Sequence, residues 1–120
     1  MSYLESMAGA IYSVLSSLSD EVWDLIPSDF DFKNKVAVEY KIGESVLDQE
    51  YKINYTLQIR VVGNNNNKLY EILGLSEEID KLMNKAEILE SRITREKPHM
   101  TSYIDEDKKN VVLQYLINRY

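Results

Sequence analysis

The chain has 120 residues, 44% of them hydrophobic and 28% charged, which suffices for one buried core and is too apolar for a disordered chain. Its 14 Lys and Arg stand against 20 Asp and Glu, and the net charge of −6 opposes nonspecific binding to a phosphate backbone. There is no Cys, so disulfides, thiolate metal ligands and cysteine nucleophiles are excluded together, as fits a reducing compartment.

The N-terminus carries Glu5 and no basic stretch, so no signal peptide is expected, and no apolar run approaches the roughly 20 residues that span a bilayer. The expectation is a soluble α+β chain with a single domain over 1–120. Leu4, Met7, Ala8, Ile11, Val14, Leu15 and Leu18 recur at spacings of three and four, which predicts a helix from Ser2 to about Leu18. Ser2 and Glu5 are spaced to cap its start reciprocally. Ser19, Asp20 and Glu21 then predict a short helical turn holding Val22, Trp23, Leu25 and Ile26, ended by Pro27, with Trp23 as a core plug.

Val36, Val38, Tyr40 and Ile42 alternate with Ala37, Glu39 and Lys41, the period of a half-buried strand. Tyr51, Ile53, Tyr55, Leu57, Ile59 and Val61 share one face of a second, long strand whose other face is polar, as in an antiparallel sheet. The connection Gly43 to Glu50 exceeds a tight turn and carries Val46 and Leu47 among acids, which suggests a projecting arm. Gly63 and the run Asn64 to Asn67 read as a flexible link. Leu69, Ile72, Leu73, Ile79, Leu82 and Met83 predict a second helix over 68–84, with Gly74 and Ser76 as sites of a kink or split.

Leu89, Ser91, Ile93 and Arg95 suggest a third strand that continues past Pro98 toward Tyr103 and Ile104 as an edge or bulged segment, since Pro cannot donate to a ladder. A charged turn over 105–110 leads to Val111 to Asn118, apolar on both faces like a central strand. The predicted fold is therefore an antiparallel sheet of about four strands with two helices on one face, in the order α-β-β-α-β-β.

Residues with catalytic or ligating chemistry are sparse. His99 is the only histidine, has no Cys beside it, and next to Pro98 reads as an exposed loop residue, neither a metal ligand nor a general base. Gly43, Gly63 and Gly74 are too scattered for a phosphate-cradling loop. Asp29, Asp31, Asp105, Glu106 and Asp107 lack the spacing of a calcium loop and read as solvated turn acids. No cofactor, metal or catalytic residue is expected, and the chain is not expected to be an enzyme. Tyr40, Tyr51, Tyr55 and Tyr115 suit strand packing, while nine Tyr in so small a chain also suit burial against other subunits.

The layout resembles the tail terminator, or tail completion, proteins of long-tailed bacteriophages and phage-tail-like particles. The resemblance rests on the helix Ser2 to Leu18, the Val22-Trp23 turn leading through Pro27 to Val36 to Tyr40, the strand Tyr51 to Val62, the helix after the Asn run, and Val111 to Tyr115. It implies a structural virion protein that forms a homohexamer ring, caps the tail tube, and joins it to the head-side connector. The partners would be further copies of the chain, the tail-tube protein and the connector, with DNA passing through the ring and no membrane. The chain would be located in the virion tail, and in the host cytoplasm during assembly. A closed ring needs heterologous contacts. Val46, Leu47 and Tyr51 are the expected subunit-interface residues, and Glu44, Asp48 and Glu50 the expected channel-facing acids that repel passing DNA. The alternative is a small dimeric interaction or regulatory domain without catalytic activity.

Overall fold

The computed structural model describes residues 2–44 and 54–119. Helix α1 spans Tyr3–Ser16 and starts where the sequence sets it. The Ser2 hydroxyl accepts from the Glu5 N–H at 3.1 Å, and the Glu5 carboxylate accepts from the Ser2 N–H at 3.4 Å, so two orphan donors are satisfied at once. Met7, Ile11 and Leu15 form its buried stripe. The helix ends short of Leu18 because the Ser17 side chain and N–H both bond back to the Val14 carbonyl, at 2.6 and 3.2 Å.

The predicted helical turn at 22–26 is absent. Val22–Trp23 is instead a short strand, β1, parallel to β2 (Ala37–Glu44), and the Val38 N–H donates to the Glu21 carbonyl at 2.8 Å. Pairing with a neighbouring strand overrides the local turn signal, and Val and Trp both suit a pleated surface. Trp23 is half-buried and not a core plug.

Strand β3 (Asn54–Asn64) follows, then helix α2 (Leu69–Met83), β4 (Glu87–Ile88), β5 (Ser91–Asp105) and β6 (Lys108–Arg119). They build one sheet in the spatial order β1-β2-β3-β6-β5-β4. The α+β class is as expected, with six strands in place of four. The two additions, β1 and β4, are two-residue strands at the sheet margins, too short to show a period in sequence.

Both helices cover one face of this sheet. Register aligns Val38, Val61 and Val111 across β2, β3 and β6, and Ile59 and Leu113 beside them, all pointing at Met7, Ile11, Ile72, Ile79 and Met83. Burying each such side chain contributes roughly 1.5–3 kcal/mol before the entropy of ordering it is offset. β6 lies between β3 and β5, which explains why it is apolar on both faces: Val112 is buried on the side away from the helices.

Helix α2 runs unbroken through Gly74. Ser76, buried within it, returns its hydroxyl to the Ile72 carbonyl at 2.7 Å, so the predicted break is not needed. The Asn run is not a free link either. Gly63 and Asn64 finish β3; the Asn64 side chain accepts from the N–H groups of Asn66 and Asn67, and Asn67 donates to the Lys33 carbonyl at 3.0 Å. β5 keeps its pairing with β6 on both sides of Pro98, with a register shift between Arg95 and Met100, as an edge-strand proline requires. The β5–β6 turn is only Glu106-Asp107, both at positive φ, the geometry of a tight two-residue hairpin.

Candidate functional site

Titratable side chains converge where α2 crosses β5 and β6. Asp80 sits on the buried stripe of α2 with Ile72, Ser76, Ile79 and Met83, and is 9% exposed. The Tyr115 hydroxyl donates to its Oδ1 at 2.8 Å, Arg95 donates to Oδ1 through Nε at 3.3 Å and to Oδ2 through Nη2, and His99 Nε2 lies 3.0 Å from Oδ1 without the alignment of a hydrogen bond. Burial pushes the Asp80 carboxyl up, but the hydrogen bonds from Arg95 and Tyr115 and the neighbouring positive charge outweigh it and hold the group below its ordinary value. The Tyr115 hydroxyl is driven well above the ordinary tyrosine range, first by burial and then by the Asp80 carboxylate.

The chemistry of this cluster is that of a clasp. Arg95 and Tyr115 occupy the Asp80 oxygens, and the Tyr115 proton is committed to the carboxylate, so the group ties the β5 bulge to α2. His99 is therefore not the exposed loop residue its neighbours suggested. Its ring is half-buried, set edge-on to Tyr115 with centroids 5.4 Å apart, and its Nδ1 is 3.4 Å from the Gln114 carbonyl. The signal for this cluster was an acid in register with the apolar stripe of α2, and a base in phase with Ser91 and Ile93 on β5.

A second charged group lies on the helix-free face. Glu39, 5% exposed, accepts from the Ile26 N–H at 3.1 Å and pairs with Arg60 at 3.1 Å, while Arg60 Nη1 donates to Asn110 Oδ1 at 3.2 Å. This arrangement pulls the segment after β1 across the sheet, where Lys108 Nζ sits 4.7 Å from the Phe32 ring centroid. Among the described residues no group of His, Asp and Glu is arranged to hold a metal ion. The turn acids Asp29, Asp31, Asp105, Glu106 and Asp107 are all exposed, and the Asp31 carboxyl is lowered chiefly by the hydrogen bond from Asn34.

What remains is surface for contact. Beyond Ile93 no described strand covers the outer edge of β5, and Met100, Tyr103 and Ile104 along it are 44%, 46% and 58% exposed. Above Glu39 the outer edge of β2 is likewise uncovered among the described residues. Beside this stretch lies a cleft of about 520 Å³ lined by Leu4, Glu5 and Ala8 of α1, by Asp24, and by Tyr40, Lys41 and Ile42. The expected interface residues Val46, Leu47 and Tyr51 and the expected channel acids Asp48 and Glu50 lie outside the described residues. Glu44 ends β2 with its backbone opposite Tyr55, and its side chain is outside the description too.

No family model and no curated protein matches this sequence. Among solved structures, the chain is similar to a chain of the virion of a native gene transfer agent particle, with a TM-score of 0.68 and 13% identity over 98% of both chains. The two share a fold. A second solved chain is similar with a TM-score of 0.58 and 11% identity, over 97% of this chain and 93% of the other. The likeness spans both helices and the whole sheet, and at such identities it speaks for architecture, since one fold hosts many functions.

Proposed function

We propose that this chain is a structural subunit of a phage-like particle, and within that class a tail terminator-like protein that forms a ring, caps the tail tube and joins it to the head-side connector. The observation that carries the reading is the near-complete overlap with a chain of a gene transfer agent virion, 98% of each chain at a TM-score of 0.68. The surface supports it. An assembly protein needs directional contact patches, and among the described residues this chain presents two uncovered stretches of strand edge on one sheet, that of β5 carrying the exposed Met100, Tyr103 and Ile104. In this reading the chain has no catalytic role, and the Asp80 cluster serves to hold the β5 hairpin rigid.

The segment around Val46, Leu47 and Tyr51 supplies a subunit contact, and Glu44, Asp48 and Glu50 line the channel through which DNA passes. The partners are further copies of the chain, the tail-tube protein and the connector, and the chain resides in the virion tail. Light scattering after size exclusion, with negative-stain images of the same fraction, tests the ring. Ring-shaped particles of about six copies are expected, and Val46→Ala with Leu47→Ala reduces their yield. A stable particle of two copies without rings refutes the reading in favour of a dimeric interaction domain.

A further inference from the structure

The two uncovered edges belong to the same sheet and lie toward its opposite ends, which makes them chemically complementary to each other. Among the described residues each presents a row of backbone N–H and C=O groups with no partner strand, and an unpaired edge is satisfied by another strand. We infer that the β5 edge of one copy adds to the β2 edge of the next, so that the ring is closed by one sheet continuing from subunit to subunit. This inference rests on the ring reading.

Strand polarity fits. β2 is antiparallel to β3, β3 to β6 and β6 to β5, so β2 and β5 of one copy run in opposite directions. Copies related by rotation about a ring axis keep their orientation along that axis, so head-to-tail addition sets β5 antiparallel to β2. No reversal of a subunit is needed, whereas a two-fold dimer would pair like edges.

The side chains fit as well. In a continuing sheet each face stays on its own side. Met100 is level with Leu113, Ile59 and Tyr40, on the face the helices cover, and Ile104 shares its side. Added to β2, the exposed Ile104 comes beside Tyr40 at the cleft lined by Leu4, Ala8 and Ile42 together with Glu5 and Asp24, and Met100 follows on the same side toward Glu44. On the other face Tyr103 comes beside Lys41.

Register follows from what blocks each edge. β1 occupies β2 at Val38 and Glu39, and the irregular stretch of β5 ends at Met100. The regular run Met100 to Ile104 therefore lies beside Tyr40 to Glu44, with Ile104 opposite Tyr40. Neighbouring copies are then staggered by about four residues, roughly 13 Å, and such a stagger accompanies strand tilt when a sheet closes on itself.

The absence of Cys makes the test direct. Lys41→Cys, Tyr103→Cys and Ser102→Cys each alter an exposed residue, and mixed rings of Lys41→Cys with either partner are isolated by size and mildly oxidised. The disulfide-linked dimer is expected at least tenfold more with Tyr103→Cys, which shares the face of Lys41, than with Ser102→Cys, which points to the opposite one. Intact rings with equal or reversed yields, or with no cross-link, overturn the edge pairing and leave the ring reading standing. Particles of two copies in which Lys41→Cys links to itself remove both.

Discussion

Replacing Asp80 by Ala removes the one acceptor shared by Arg95 and Tyr115. Tyr115 is fully buried, so its hydroxyl keeps its proton and loses its partner, a desolvation cost of about 1–3 kcal/mol. The Arg95 side chain is 51% exposed and recovers most of its hydration, so its share is below about 1 kcal/mol. The expected loss is about 1–4 kcal/mol, dominated by the tyrosine. Urea unfolding followed by tryptophan fluorescence at Trp23 measures it as a fall in midpoint at unchanged slope. Restoring a good fit by combining Asp80→Ala with Tyr115→Phe recovers part of the loss, because the orphaned hydroxyl is gone, whereas Asp80→Ala with Arg95→Ala recovers little. A loss under about 0.5 kcal/mol for Asp80→Ala, or recovery through Arg95 and not through Tyr115, refutes this account of the clasp.

Acid and alkali act on the same pair with opposite signs. The folded chain holds the Asp80 carboxyl below its ordinary 3.8, so the clasp contributes fully above that value and is lost as pH falls through the lower folded value; Asp80→Asn flattens this part of the acid denaturation curve. The Tyr115 hydroxyl is raised above its ordinary 10.0, so the unfolded chain gives up that proton first and stability declines as pH rises past 10.0, a decline that Tyr115→Phe removes. Glu39→Ala takes the carboxylate from Arg60, which keeps its bond to Asn110, and leaves the Ile26 N–H without its acceptor; it costs about 2–3 kcal/mol, with faster amide exchange over 24–32 than over β3. Gly63→Ala brings a methyl to 3.1 Å from both Ile72 Cδ1 and Val36 Cγ2, and thermal unfolding is expected to show about 1–3 kcal/mol of overpacking.

The elements legible in the sequence are those whose structure is decided within a few residues. The α1 stripe and its Ser2–Glu5 cap, the alternation of β2 and of the described part of β3, and the doubly apolar β6 each show a strong period and are found, with α1 ending at Ser16 and β6 beginning at Lys108, inside the expected turn. The edge character of β5 followed from a single property of Pro98, its missing N–H. Val22–Trp23 resisted this reading because a two-residue strand has no period and exists only through its bond to β2. The Asn run misled for a related reason: Asn favours turns, and here the turn is fixed by bonds from Asn64 and Asn67 that reach as far as Lys33.

Sequence alone determined the two helical stripes, the existence of four long strands and the apolar side of β2 and β3, because periodicity follows from backbone geometry and the hydrophobic effect, both local in their demands. Tertiary structure decided which residues meet across distance. Asp80 finds Arg95 and Tyr115 only after α2 has crossed the sheet, Glu39 finds Arg60 only through strand register, and the strand order leaves β2 and β5 each with a stretch of edge uncovered among the described residues. Those contacts depend on how the chain returns on itself, and no spacing along it encodes that return.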